Sequence, residues 1–376
     1  MLLWCVIPQL EGRFAVLNWR QMVPSRASLT GQPDRSGIQP SAVVNGQYPA
    51  IPATPRPTVT PKAGFRRRRT VMSPRSRIAS LGLAATLLWT MASAPATAAG
   101  GSIIPLYPKG SVAPLGVPES QTKLKAGPTL IFNVSEPTLE LFRPAPGRAN
   151  GTAMIVAPGG GFVGLEYDAG GTDIARRLAQ QGITALVLKY RTIQSSGDPM
   201  QMPEAHLKEM DTLMARVKTG LPVEMPPFAG EPHAVEDGVR AMAIVRQHAQ
   251  EWGIDPKRVG VIGFSAGAYL AADLAIGDKA SRPDFVVLLY GGLRTPVPAD
   301  ASPAFIAAAA DDPFQPNDAV QLFTAWRKAG VAAELHVYAH GGHGFDLKPN
   351  GATSDHWFDE LLWWMRSRGL MSPAKK

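Results

Sequence analysis

One serine lies in a turn where its hydroxyl could act as a nucleophile. Ser265 is at the centre of Gly263-Phe264-Ser265-Ala266-Gly267, which fits the G-x-S-x-G pattern of a strained turn from a strand into a helix. The apolar run before it (259–262) predicts a strand, and the alanine-rich run after it (268–272) predicts a helix. The pattern alone is loose, and a buried serine in a glycine-rich turn is the structural alternative.

Candidate partners for this serine follow two later strand-like runs. Asp311 and Asp312 come after residues 304–308, and two histidines come after residues 332–338. An imidazole can take the proton of a serine hydroxyl and return it to a leaving group, while a carboxylate holds the imidazole in the correct tautomer. The order serine, aspartate, histidine, with each residue at the C-terminal end of a strand, predicts a catalytic triad.

Two ambiguities lie inside this triad. His343 is favoured over His340 because the two glycines between them let the loop bring His343 over the serine. The two adjacent aspartates are expected to point to different sides, so Asp312 is assigned as the triad acid and Asp311 as its structural neighbour. As a zinc pair, the two histidines lack a third ligand at a plausible spacing, so no metal site is expected.

A second glycine-rich segment could bind a developing negative charge. Gly159, Gly160 and Gly161 follow the strand-like run 153–157, and glycine amides are not shielded by side chains. The pattern G-x-G-x-x-G of dinucleotide-binding proteins can be traced through Gly159, Gly161 and Gly164. However, no acidic residue at the end of a second strand is placed to bind the ribose of such a cofactor. We therefore expect an oxyanion loop and no bound cofactor.

Strand-like and helix-like runs alternate from residue 153 onward and must position these residues. Strands are predicted at 153–157, 185–188, 258–262, 285–290, 304–308 and 332–338. Helices are predicted at 173–181, 266–276, 317–329 and 354–369, and over a run with apolar residues at Val235, Val239, Met242, Val245, Ala249 and Trp252 on one face. Continuous apolar strands indicate a mostly parallel sheet covered on both faces, hence a three-layer α/β fold. The irregular stretch 192–233 is expected to form a small cap over the site.

The charge distribution argues against a nucleic-acid-binding protein. The 376-residue chain has a formal charge of +8, but residues 1–99 contain 12 basic and only 2 acidic residues. Residues 100–376 therefore carry a charge near −2, whereas nucleic-acid-binding domains carry their positive charge on the folded surface.

Residues 72–99 have the layout of a secretory signal peptide. Two arginines precede an apolar run (78–91), which ends in small residues at Ala96-Thr97-Ala98. The run is too short and too rich in alanine for a stable membrane span. We expect residues 100–376 to form one hydrolase domain in the periplasm or outside the cell, and residues 1–71 to be misassigned upstream sequence or a disordered extension. N-terminal sequencing of the native protein tests this, and a mature chain that begins well before residue 95 would contradict it.

Cysteine chemistry is not expected in the exported domain. Cys5 is the single cysteine of the chain, and it precedes the expected cleavage site. Thiol catalysis and cysteine-ligated zinc are therefore excluded for residues 100–376, and the domain must be stabilised by its core.

Taken in order, these motifs resemble those of α/β-hydrolases of the acetyl-xylan and feruloyl esterase-like group, often labelled acetyl esterase/lipase. The matching stretches are GTAMIVAPGGGF, GITALVLKYR, EWGIDPKRVGVIGFSAG, AAADDPFQP and ELHVYAHGGHGF, within about residues 103–370. The resemblance implies the three-layer α/β-hydrolase fold. It also implies the following roles: Ser265 as nucleophile, Asp312 as acid, His343 as base, and the amides of Gly160, Gly161 and Ala266 as the oxyanion hole.

The expected function is that of a serine esterase acting on short-chain carboxylic esters, with acetyl or feruloyl groups on hemicellulose fragments as candidates. Its partner is then a small-molecule or oligosaccharide ester, with no cofactor, metal or nucleic acid. Two alternatives remain: a catalytically dead hydrolase fold that serves as a binding module, and a lipase-type or peptidase-type serine hydrolase. The segment Glu166-Tyr167-Asp168 after the oxyanion glycines either borders the pocket or is an ordinary solvated loop.

Overall fold

The computed structural model describes residues 101–125, 127–199, 201–219 and 224–372, together with two short strands near the N-terminus. The signal peptide predicted at residues 72–99, and most of the segment 1–71, lie outside the described residues. Within the described part, no helix is both long enough and apolar enough to cross a membrane.

Thirteen strands are described, and they form three sheets. In chain order they are β1 (Val6–Pro8), β2 (Phe14–Val16), β3 (Ser102–Pro105), β4 (Ser120–Lys123), β5 (Thr129–Phe132), β6 (Thr138–Phe142), β7 (Ala153–Ala157), β8 (Gly164–Glu166), β9 (Thr184–Lys189), β10 (Val259–Phe264), β11 (Phe285–Leu289), β12 (Ala304–Ala309) and β13 (Ala333–Tyr338).

The helices described are α1 (Asp173–Gln180), α2 (Glu204–Thr219), α3 (Glu231–Gln247), α4 (Ala249–Trp252), α5 (Ala266–Ile276), α6 (Asp318–Lys328) and α7 (Trp357–Ser367). A π-helical turn (Asp168–Thr172) precedes α1, and a 3-10 turn (Thr353–His356) precedes α7.

The central sheet has eight strands in the order β13-β12-β11-β10-β7-β9-β6-β3. The first six strands of this order, from β13 through β7 to β9, are parallel to one another. The last two, β6 and β3, are each antiparallel to the strand before them in the order. Every residue of β7, β10, β11 and β12 is buried, as expected when both faces of a parallel sheet are covered. A smaller antiparallel sheet has the order β4-β5-β8, and β1 pairs with β2 in a ribbon.

Two hydrophobic cores, one on each face of the central sheet, give the molecule three layers. Helices α3, α5 and α6 pack on one face, and α1 and α7 pack on the other. The predicted three-layer fold with a mostly parallel sheet is confirmed. The short strands β3 to β6 and β8 were not predicted, because runs of three to five residues with mixed polarity carry little periodic signal.

The predicted apolar face of α3 is wrong at Val239, which is 38% exposed. The buried face instead contains Ala234, Gly238 and Ala241, so the helix approaches α5 closely. A Cβ on Gly238 would lie 2.9 Å from Cδ1 of Leu274. Small side chains therefore form this contact between α3 and α5. A helix face assigned only from large apolar residues includes Val239, which lies outside the contact.

The segment 192–233, predicted to form a short helical cap, contains the 16-residue helix α2. A buried ion pair holds α2 to the N-terminus of α6, with Arg216 Nη1 2.7 Å from Asp318 Oδ1. Because α6 follows the loop after β12, this pair attaches the cap to a strand end of the central sheet. The apolar residues Leu207, Met210, Leu213 and Val217 are spaced by three or four, so a helical signal was present.

A second buried charge cluster attaches the start of α3 to α5. The Arg294 guanidinium lies 2.5 Å from Glu231 and 3.2 Å from Asp273, above the ring of Tyr269. Burial, together with the nearby Glu231, raises the pKa of Asp273 to about 8, although Arg294 acts in the opposite direction. The folded protein therefore retains a proton on this carboxyl at pH values where the unfolded chain has lost it.

We predict that the raised pKa of Asp273 makes the protein less stable as the pH rises from about 4 to about 8. An acid whose pKa is raised by folding binds more protons in the native state, so its contribution to the unfolding free energy decreases by up to about 1.4 kcal/mol per pH unit. Asp273→Asn should flatten this part of the stability profile, measured by urea unfolding between pH 5 and pH 9. The exposed Asp300→Asn is the control, and an equal slope in wild type and Asp273→Asn would contradict the prediction.

Candidate active site

The carboxyl ends of β10, β12 and β13 lie at one edge of the sheet because these strands are parallel. Ser265 follows β10 directly, Asp312 lies three residues after β12, and His343 lies five residues after β13. The structure brings these three predicted residues together at this edge, where open α/β sheets generally place their sites.

The turn at Ser265 is strained, and it depends on glycine at two positions. Ser265 has φ 51° and ψ −116°, a conformation that a side-chain-bearing residue adopts only when the surroundings enforce it. A Cβ on Gly263 would lie 2.0 Å from the carbonyl oxygen of Gly267, and one on Gly267 would lie 2.1 Å from that of Ala157. No larger residue fits at either position, so these close contacts define the turn.

A chain of hydrogen bonds runs from the serine to the buried aspartate. His343 Nε2 lies 2.8 Å from Ser265 Oγ, and His343 Nδ1 lies 2.8 Å from Asp312 Oδ2. The imidazole thus uses both ring nitrogens, one toward the candidate nucleophile and one toward the carboxylate. This geometry permits proton transfer from the hydroxyl to the ring.

Asp312 is held as a carboxylate by its surroundings. It is 2% exposed, and its Oδ1 accepts hydrogen bonds from the amides of Phe314 and Gln315. Burial alone would raise the pKa of Asp312, but the interaction with His343 and these amide hydrogen bonds hold it below its usual value. The carboxylate therefore remains available to stabilise a charged imidazole.

Asp311 faces the other way and binds the loop that carries the histidine. Its Oδ1 accepts hydrogen bonds from the amides of Gly341 (3.0 Å) and Gly342 (2.7 Å), and its Oδ2 lies 3.3 Å from His340 Nδ1. His340 itself is exposed. The two adjacent aspartates thus contact two different parts of one loop, in agreement with the predicted division between them.

Two aromatic residues that the sequence did not single out hold the ring of His343. The rings of Tyr290 and Phe314 each contact the imidazole edge-to-face at a centroid distance of 5.0 Å. Tyr290 is oriented in turn by its hydroxyl, which donates to the carbonyl of Phe345. Both follow strands of the central sheet, but aromatic residues are common at such positions, so the sequence offered no specific signal for this contact.

The glycine segment after β7 lies directly against the serine turn. A Cβ on Gly159 would lie 3.3 Å from Cβ of Ser265, and Gly160 and Gly161 have φ of +131° and +64°. At Gly160 a side chain would collide with the carbonyl of Gly164 at 2.0 Å. Both glycines, and Ala266 at the first position of α5, line the same cavity as the serine.

This cavity has a volume of about 620 Å³ and differs in chemistry between its two sides. The side under the cap is lined mainly by apolar and aromatic side chains: Met202, Met210, Leu213, Phe228 and Tyr269. The side near the loop after β13 is lined by charged and polar ones: Glu166, Asp168, Asp173, Asp346, Lys348 and Asn350.

His206 is a polar residue on the apolar side that the sequence did not reveal. It projects from α2 against the oxyanion glycines, and its Cε1 lies 2.5 Å from where a Cβ on Gly161 would stand. Burial lowers the pKa of His206 to about 4, so the ring is neutral near pH 7. A lone histidine in an irregular stretch cannot be assigned to a site without knowledge of the helix that carries it.

The segment after the glycines contributes to the cavity in two of its three residues. Glu166 and Asp168 line it, whereas the hydroxyl of Tyr167 donates to Glu140 at 2.8 Å. Asp168 accepts hydrogen bonds from Lys123 and from the amide and hydroxyl of Thr129. Burial alone would raise the pKa of Asp168, but these hydrogen bonds lower it to about 2. Asp168 is therefore a fixed anion of the cavity wall.

Among the described residues, no cluster of three or more histidine, cysteine, aspartate or glutamate side chains is arranged to hold a metal ion. The groups that meet at this site are a hydroxyl, an imidazole and a carboxylate.

Comparison with known proteins agrees with this fold. The acetylxylan esterase of Xylanibacter ruminicola is 27% identical over 258 residues, which cover 59% of this chain and 47% of that protein. Endo-1,4-beta-xylanase B of Butyrivibrio fibrisolvens is 27% identical over 154 residues, 38% of this chain and 19% of that protein. The chain thus spans less than half the length of these curated relatives.

Among solved structures, the acetyl ester-xyloside bifunctional hydrolase of Caldicellulosiruptor lactoaceticus superposes with a TM-score of 0.52 at 24% identity, covering 72% of this chain and 97% of that one. This likeness supports the α/β-hydrolase fold, and the predicted resemblance to that fold and to acetylxylan esterases is confirmed. The model of the dienelactone hydrolase family matches residues 145–367, which is more than half of the protein. The matched range includes Ser265, Asp312 and His343. The protein therefore belongs to the dienelactone hydrolase family.

Proposed function

We propose that this protein is a serine esterase with Ser265 as nucleophile, His343 as general base and Asp312 as the acid of the triad. The observation that carries the proposal is the pair of 2.8 Å contacts made by the two ring nitrogens of His343. Membership of a hydrolase family and the acetylxylan esterase relative support an ester as the substrate.

In the proposed reaction, Ser265 Oγ attacks the ester carbonyl while its proton moves to His343 Nε2. The carbonyl oxygen becomes an oxyanion, which the amides of Gly160, Gly161 and Ala266 stabilise. When the tetrahedral intermediate collapses, the bond to the alcohol oxygen breaks and His343 returns the proton to that oxygen. Water then attacks the acyl-enzyme while His343 takes its proton; the bond from the acyl carbon to Ser265 Oγ breaks, His343 returns the proton to that oxygen, and the carboxylic acid is released.

The substrate is proposed to carry a short acyl group, acetyl above all, on a hemicellulose fragment. The cavity side under α2 is apolar but bounded by the cap, and His206 lies against the oxyanion glycines there. Such a chamber suits a small acyl group better than a long chain. Feruloyl remains the second candidate for the acyl group, and an acetylated xylo-oligosaccharide is the first candidate for the whole substrate.

Export to the periplasm or the extracellular space is part of this proposal. It rests on the signal-peptide layout of residues 72–99, which lie outside the described residues. An oligosaccharide ester from plant cell walls would be accessible to the enzyme in those compartments.

We predict that Ser265→Ala abolishes nearly all hydrolysis of p-nitrophenyl acetate, because the remaining site lacks a nucleophile. A fluorophosphonate probe should label the wild-type protein and not this variant. Thermal unfolding checks that the variant folds, and the exposed Ser111→Ala is the matched control. A wild-type protein that the probe does not label would favour the rival hypothesis of an inactive hydrolase fold used for binding.

The second prediction concerns the two adjacent aspartates. Asp312→Asn should lower kcat by about 10³- to 10⁴-fold, because the amide cannot stabilise a charged imidazole or its tautomer. Asp311→Asn should lose less than about tenfold, since its amide oxygen can still accept from the backbone of the histidine loop. The two kcat values are measured on p-nitrophenyl acetate, and the reverse order would move the triad acid to Asp311.

The third prediction concerns acyl length. A series of p-nitrophenyl esters should show the highest kcat/KM for acetyl and butyryl groups, with a steep decrease at octanoyl and beyond, because the acyl chamber is closed by the cap. A maximum at ten or more carbons would instead identify a lipase.

A further inference from the structure

Glu166 is an enclosed carboxyl group without a partner inside the protein. It is the last residue of β8 and lines the cavity beside the serine. No hydrogen bond or ion pair of its side chain is present among the described residues. Its backbone amide donates to the carbonyl of Gly159, so the side chain is fixed to the segment that bears the oxyanion glycines.

The surroundings of this carboxyl offer no compensating cation. The charged groups that act on Glu166 are His343, Asp346 and Asp168, and burial raises the pKa of Glu166. Lys123 is bound to Asp168 at 2.6 Å, and Lys125 and Lys348, which also line the cavity, form no ion pair with Glu166 among the described residues. A half-buried carboxyl without a partner loses part of its hydration, and groups of this kind concentrate where a ligand completes their hydrogen bonds.

The position of Glu166 relates it to one end of the substrate. In the proposed reaction His343 returns a proton to the leaving alcohol oxygen, so the alcohol lies on the His343 side of the serine. Glu166 and His343 line the same cavity, and the histidine is near enough to act on this carboxyl. The acyl group lies on the other side, beneath α2 and against His206. Glu166 therefore faces the alcohol and not the acyl chain.

We infer that Glu166 is a specificity-determining residue that accepts a hydrogen bond from a free hydroxyl of the alcohol portion of the ester. The inference rests on the proposed esterase function. The ligand class is a partly acylated polyol or sugar, in which a free hydroxyl lies near the ester.

The test compares two acetates that differ in their hydroxyl groups: a mono-O-acetylated methyl β-xylopyranoside and cyclohexyl acetate, which has a six-membered ring and no hydroxyl. Released acetate gives kcat/KM for each substrate, and the readout is the ratio of the two values in one preparation. A smaller folded fraction changes both values equally and leaves the ratio intact. The wild-type protein should prefer the xyloside.

Glu166→Met, which has no acceptor oxygen, should reduce this ratio by about tenfold, as expected for the loss of one hydrogen bond, and Glu166→Gln, which keeps an acceptor oxygen, should reduce it less. The matched control is Glu136→Gln, because Glu136 is exposed on the loop before β6; it should keep the wild-type ratio.

Three results would overturn the inference. Equal losses on both substrates in the Glu166 variants would show that this carboxyl acts only on the reaction centre. A wild-type preference for cyclohexyl acetate would show that the alcohol side does not recognise hydroxyls. Both results leave the esterase proposal intact if hydrolysis still depends on Ser265. Wild-type protein that hydrolyses neither acetate would contradict the proposed function as well as this inference.

Discussion

The candidate site depends on how closely three backbone segments approach one another at the end of the central sheet. Gly267 lies against the carbonyl of Ala157, Gly263 against the carbonyl of Gly267, and Gly159 against Ser265 itself. A methyl group at Gly263 or Gly267 would collide with backbone atoms, and one at Gly159 would be tightly crowded, so the packing of this turn holds Ser265 in its strained conformation. These contacts also bring the glycine segment after β7 within reach of the serine. A fully buried parallel sheet provides the rigidity that such strain requires.

Buried ion pairs are the second feature on which the site depends, and they hold the cap in place. Arg216 with Asp318, and Arg294 with Glu231 and Asp273, connect the cap and the start of α3 to the layer of helices beneath them. Removing one partner of such a pair leaves an uncompensated buried charge, which costs about 3–5 kcal/mol. The cap is therefore held by groups that tolerate replacement poorly, and the apolar chamber beneath it is correspondingly defined in size.

Much of the central sheet and the three residues of the hydrogen-bonded chain could be predicted from the sequence, because parallel strands give uninterrupted apolar runs and their ends collect the polar residues. The ring contacts of Tyr290 and Phe314 could not be predicted, since they depend on the packing of residues that are distant in the chain. His206 escaped notice because its helix was hidden in a stretch rich in methionine and proline. Val239 was misassigned because the buried face of α3 also contains Ala234, Gly238 and Ala241, which a pattern of large apolar residues leaves out.

The adjacent pair Asp311 and Asp312 has an evolutionary consequence. One carboxylate binds the backbone of the loop after β13, and the next binds the imidazole at the end of that loop. Since these two side chains project in opposite directions, inserting or deleting one residue after β12 would displace both carboxylates and break both attachments at once. The spacing between the end of β12 and Asp312 should therefore stay constant wherever both aspartates are kept.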